Sequence, residues 1–334
     1  MIALIVLLAA TATAPPKVET FPAPKGHLPT EIARQGDTMT FVSWTNWPAL
    51  EPHIGTISSK GKTQTQALEK EHMPGMIATA TDGTLWLTDA RQAVLWRVPV
   101  DGKAERVEID RPTLGIAIDA NGAMWCTHPD DTEISRYAAD GSKTALLDTG
   151  RGRFKLAPAK PQKAPAGMAP TWAKQSQKAN RRDVTPTWIA SADGSSLWFS
   201  DPTMRSIGVV TADGHQQRYK LPADWGAPGP LVVAKDGLTW FVVAGKPLIG
   251  QVSPEGLFSS VDLYAPAEAI TADAKGRVWF STATDLGYVE GDGTVHRVAL
   301  PKADRLIRSM ALGPDGSMWF VDQKTKTFGR VAVP

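Results

Sequence analysis

Four ionisable side chains recur at one place in a repeating pattern: Asp89, His128, Asp201 and Asp322. Each is the third residue after a tryptophan, in DGTLWLTD, NGAMWCTH, DGSSLWFSD and DGSMWFVD. With Phe41 as the marker of a worn first copy, the same place holds Trp44, Val243 and Thr282 elsewhere. A polar group there can accept backbone N–H bonds at a turn, or it can face a ligand. His128 leads into Pro129, Asp130 and Asp131, gathering an imidazole and two carboxylates that can bind a divalent metal or run acid–base chemistry. His72 and His128 are therefore the candidate catalytic residues, and Asp130 and Asp131 the candidate metal ligands. Trp44 and Trp47 can stack on a flat ligand or pack on a neighbouring element. With Asp89, Asp201, Glu268, Arg308 and Asp322 they make up the candidate ligand face. No Ser-His-Asp order, phosphate loop or paired-Cys metal motif occurs.

The elements that would carry these residues follow from the repeat. The markers Phe41, Trp86, Trp125, Trp198, Trp240, Trp279 and Trp319 are 45, 39, 73, 42, 39 and 40 residues apart. Seven copies of about 40 residues, built of short strands, predict a propeller. In the third copy, Thr113 to Ala120 is a first strand, Asn121-Gly122 turns into AMWCT, Glu133 to Ala139 is a third strand, and Asp140-Gly141 turns into KTALLD. Asn-Gly and Asp-Gly supply the positive φ that tight hairpins need. The expected fold is all-β, a seven-bladed β-propeller of four-stranded blades. Its last repeat stops at a third strand, Phe328 to Pro334, while Val18 to Pro24 precedes the first repeat as an orphan strand. Pairing these two closes the last blade with the N-terminal strand and removes an open edge.

Length and composition agree with one propeller domain over 15–334. A 334-residue chain with 29 Gly, 26 Pro and 12 Trp suits a turn-rich β protein. A net charge of +2 argues against nucleic acid as a partner. Residues 1–14, apolar and ending in Ala12-Thr13-Ala14, read as a signal peptide that is removed. The apolar run is too short for a membrane span, so the expectation is a monomer, periplasmic or secreted. The single Cys126 lies in a repeat strand and reads as a buried thiol. One insertion breaks the rhythm at 150–183, with nine Lys and Arg against one acid. It reads either as a solvated excursion or as a cationic flap over the central opening, seated by Phe154 and Trp172.

The repeats resemble those of the virginiamycin B lyase (streptogramin lyase) family. The likeness is carried by TPTWI at Thr185 to Ile189, DGSSLWFSDPTMRSIGVVTADG at Asp193 to Gly214, KPLIGQVSPEG at Lys246 to Gly256 and DGSMWFVDQKTKTFGRV at Asp315 to Val331. It implies a seven-bladed propeller and, for active members, Mg²⁺-assisted elimination that opens a cyclic lactone. In that chemistry a His after the Pro of a first strand takes the proton, and a Glu stands third after Trp. Neither pattern occurs here, where first strands read PGMI, PTLGI, PTWI, GPLV, PAEAI and IRSM. Two functions remain open. One is ring opening of a lactone-type small molecule with Mg²⁺ or another divalent metal. The other is a non-catalytic propeller that binds a ligand or a protein on its loop face. A gluconolactonase-type hydrolase shares the propeller, but its metal-binding Glu has no good counterpart here.

Overall fold

The structure is a computed structural model. It describes residues 17–46, 49–129, 131–149, 186–191, 194, 196–211, 215–301 and 304–334, together with the backbone of 153–156. Residues 1–14 and the rest of the insertion lie outside the described residues, as do Trp47 and Asp130.

Alternating apolar residues between Gly turns give seven antiparallel sheets, six formed of consecutive strands and the seventh joining the last strands to the first. Their innermost strands are His27–Gln35, Pro74–Thr79, Ile116–Ile118, Trp188–Ala190, Pro228–Val233, Ala269–Ala272 and Ser309–Leu312. Each packs on the next, and the seventh packs on the first, so the blades form a closed ring. As expected, Val18–Pro22 completes the seventh blade by pairing with Thr327–Ala332, Phe21 opposite Phe328. Phe21 stacks on Trp319 with centroids 5.6 Å apart, and the Arg330 guanidinium donates to Glu19 at 2.6 Å. The seam is therefore both apolar and charged.

The third blade departs from four strands. Arg153–Leu156, within the segment read as an insertion, adds a fifth strand outside Lys143–Asp148. An unpaired outer edge with free N–H and C=O groups accepts such a strand wherever the following chain is long enough to return.

Phenylalanines follow several marker tryptophans and explain the recurring glycine of the third strands. Phe199 lies opposite Gly208, Phe280 opposite Gly287 and Phe320 opposite Gly329. A Cβ on those glycines would stand 2.0 to 2.3 Å from the ring. Phe41 lies opposite Gly55 in the same way. The register therefore corrects the alignment of the first copy. Phe41 matches the residue after the marker, Thr40 takes the tryptophan position, and Ser43 rather than Trp44 is the counterpart of Asp89 and His128.

Hydroxyls two residues after the marker staple successive blades. Thr88 Oγ1 donates to Leu114 O at 2.9 Å, Thr127 Oγ1 to Thr187 O at 2.9 Å, and Ser281 Oγ to Ile307 O at 2.6 Å. Each also accepts a backbone N–H from its own innermost strand, at Met76, Gly115 and Ala269. One hydroxyl thus satisfies two buried backbone groups, each of which would be costly to leave unpaired.

Candidate functional site

Innermost and second strands run antiparallel, so the loops entering each blade and those leaving each second strand share one face. That face carries the sequence-predicted residues, and the fold divides them among separate blades.

His72 and Asp89 meet. The buried imidazole has Nδ1 2.7 Å from Asp89 Oδ2 and Nε2 3.2 Å from Glu69 Oε2, with its edge against Trp96 at 4.8 Å. Asp89 Oδ1 accepts the backbone N–H groups of Met73, Arg91 and Gln92 at 3.1, 2.9 and 2.9 Å. Asp322 does the same for Leu306, Lys324 and Thr325, and also takes Arg305 at 2.7 Å. Hydrogen bonds from Thr325 and Arg305, with the Leu306 and Thr325 amides, hold the Asp322 carboxyl below its ordinary range against the opposing, larger effect of burial. Asp201 accepts Met204 N–H at 3.0 Å and Arg218 at 2.8 Å. In each case the carboxylate closes a strand–loop turn.

His128 sits alone in the third blade. Its Nδ1 donates to Pro112 O at 2.7 Å, and Nε2 is 2.8 Å from Ser135 Oγ. Burial first, then the Arg111 cation, push its pKa down to about 4. Asp131 and Glu133 pair with Arg111 at 2.9 and 2.7 Å. A hard divalent ion needs several oxygen ligands, yet Asp131 is committed to a cation and both His128 nitrogens are engaged. Among the described residues no group of three or more His, Cys, Asp and Glu side chains could hold a metal ion. The described members of the HPDD run do not fit Mg²⁺. Buried Cys126, its thiol pushed up by desolvation, adds no chemistry.

Trp44 is half-buried between Leu28 and Pro52 in strand register. Glu268 and Arg308 stand immediately before adjacent innermost strands, at the mouth of the ring. Glu268 Oε2 is buried with no hydrogen-bond partner among the described residues, and burial raises its pKa while Arg308 opposes the rise. Arg308 is exposed.

Two groups escaped the sequence reading. Glu31 lies in the innermost strand of the first blade, where Trp188, Ala269 and Ser309 hold the equivalent place in strand register in other blades. Burial pushes its carboxyl up to about 7, against a hydrogen bond from Ser309. Aligning the first strands would have exposed this odd acid. The second is a pairing: His27, which the sequence places on the loop face before a first strand, meets His53 with ring centroids 4.6 Å apart. Its signal was hidden by the one-residue misalignment at Phe41.

Three comparisons bear on kinship. A sequence model described as the Virginiamycin B lyase family matches residues 171–334. A curated virginiamycin B lyase from Nocardia farcinica is 28% identical over 231 residues, covering 64% of this chain and 79% of the relative. Among solved structures, a streptogramin B lyase superposes with TM-score 0.74 at 22% identity, covering 96% of this chain and 98% of the other. A catalytically inactive virginiamycin B lyase from Staphylococcus aureus, solved with quinupristin, gives TM-score 0.74 at 19% identity, covering 96% and 100%. At these identities the structural matches speak for the fold, and the sequence matches carry the kinship. With its seven blades and the match over residues 171–334, the chain is similar to the virginiamycin B lyase family.

Proposed function

We propose that this chain is an exported family propeller, periplasmic or secreted, that binds a small molecule at the mouth of its central opening without opening a lactone ring. One contrast carries the reading. His72 and His128, the histidines singled out as candidate bases, are 3% and 2% exposed and have both nitrogens occupied, whereas Glu268 and Arg308 offer a carboxylate oxygen with no partner among the described residues and an exposed guanidinium. A base must reach the proton it removes, and a buried imidazole held from both sides does not. A carboxylate beside a guanidinium can take a ligand that presents a donor and an acceptor together, as an amide or depsipeptide does.

The test is calorimetric titration of the mature chain with quinupristin as the lactone probe, with parallel chromatography for a linear product. Saturable binding that Glu268→Gln and Arg308→Ala weaken, with the probe recovered intact, is the expected result. A linear product that His72→Gln or His128→Gln abolishes would overturn the reading in favour of elimination. Absence of binding would instead direct the search to a protein partner.

A further inference from the structure

Two histidines of the first blade have no part in the site above. His27 begins the innermost strand, and His53 lies on the third strand opposite Ser43. Their rings meet edge to face, centroids 4.6 Å apart and planes at 74°. His53 Nδ1 is 3.1 Å from Glu51 O, and His27 Nδ1 is 3.0 Å from Ser43 Oγ. Neither Nε2 makes a hydrogen bond or ion pair with a described residue.

We propose that His27 and His53 form a two-imidazole site for a borderline transition-metal ion of the Zn²⁺ or Cu²⁺ class, on the loop face of the first blade. The tautomers are suitable. A carbonyl oxygen only accepts, so His53 Nδ1 carries the proton and its Nε2 presents a lone pair. The Ser43 hydroxyl can accept as well as donate, so His27 can adopt the same tautomer. Anchoring the second ring nitrogen in this way is how a protein orients a metal-bound histidine. The spacing also fits. Two imidazole nitrogens at about 2.1 Å from one ion, roughly 90–109° apart, place their ring centres about 4.5–5 Å from each other. Burial first, and then His53, hold His27 below its ordinary pKa and so favour the neutral, ligating form. Imidazole suits zinc, copper and nickel, whereas Mg²⁺ prefers oxygen.

The repeat supplies an internal control. His72 occupies the equivalent place in the second blade, two residues before Pro74 as His27 is two before Pro29. There Asp89 stands where the first blade has Ser43, and Glu69 takes the other nitrogen. In the first blade Ser43 replaces Asp89 on Nδ1, no described carboxylate takes the place of Glu69 on Nε2, and a second imidazole stands beside the ring. Two protein ligands leave coordination positions for water or a ligand donor. The carboxylate of Glu51, paired with Lys70 at 2.7 Å and exposed to solvent at Lys70, lies within electrostatic reach of His53.

The experiment is titration of the full mature chain, free of any polyhistidine tag, with ZnCl₂ by calorimetry and with Cu²⁺ by electron paramagnetic resonance. One equivalent should bind, with nitrogen hyperfine structure from two imidazoles. His27→Gln and His53→Gln should each abolish uptake, while Ser43→Ala should weaken it about tenfold. His296→Gln, on a half-buried histidine of the sixth blade, should leave binding unchanged, and thermal melts would confirm that each variant folds. Absence of saturable Zn²⁺ binding overturns the proposal. So does binding that survives both first-blade substitutions, or that His296→Gln removes equally. None of these outcomes depends on the small-molecule titration.

Discussion

His27 and His72 occupy the same place in consecutive repeats, yet their surroundings differ. In the second blade a buried carboxylate takes one nitrogen and three backbone N–H groups, and an outer carboxylate takes the other nitrogen. In the first blade a serine takes one nitrogen, and a neighbouring imidazole stands where the second blade has apolar Val94. A few residue changes in a repeat, Ser43 for Asp89, His53 for Val94 and the loss of the Glu69 contact, turn a structural lock into a site with coordination to spare. The closed constellation resists change, and the open one is where chemistry can be placed.

The largest break in this contrast should come from Asp89→Ala. It strands three backbone donors and the imidazole, and should cost about 3 kcal/mol, read as a lower urea midpoint with an unchanged slope. Next come two buried titrating groups with opposite signs. Glu31 has its folded pKa raised to about 7 from 4.5, so its contribution is complete below pH 4.5 and is lost as pH rises to 7. His128 has its folded pKa lowered to about 4 from 6.5, so its contribution is complete above pH 6.5 and is lost as pH falls toward 4. The slopes oppose each other between pH 4.5 and 6.5. Glu31→Gln should therefore leave a stability that rises with pH there, and His128→Gln one that falls. Each change should amount to about 2 kcal/mol in urea unfolding at stepped pH, after allowing for solvent reaching Glu31.

Converting the first blade to the second sharpens the comparison directly. Ser43→Asp should place a carboxylate on His27 and raise its titration by about one pH unit in NMR. Thr127→Val removes a staple between the third and fourth blades and should cost about 1 kcal/mol by thermal or urea unfolding. Smallest of all, Glu268→Gln and Arg308→Ala should shift stability by no more than about 0.5 kcal/mol, because neither side chain bonds a described neighbour. A larger loss would mark them as structural, like Asp89.

Much of the fold was legible because a propeller repeats its physics. Alternation with Asp-Gly turns predicted four strands per copy, and a surplus strand at one end with a deficit at the other predicted the Val18–Pro22 closure. The fifth strand at Arg153–Leu156 was not legible, since it depends on an open edge rather than on local alternation. In the site, the position three after the marker was singled out as ionisable in four copies, and the structure buries Asp89, His128, Asp201 and Asp322 there. Whether its side chains face a ligand or a turn was not, because a carboxylate satisfies either with the same sequence. Trp44 stood in for Ser43 because the first copy lacks its tryptophan, and only the pairing of Phe41 with Gly55 shows the shift.

By itself the sequence determined the blade number, the strand order and the polarity of each position, since these follow from local periodicity and turn chemistry. Only the tertiary structure decided which polar groups have partners. Strand pairing within a blade brings Asp89 to His72, and Arg111 to Asp131, across 17 and 20 residues. Burial then sets whether Glu31 keeps its proton and whether His128 refuses one. Partnering and desolvation are properties of the folded, packed blades, so the chemistry of each residue was decided only where strands distant in sequence meet.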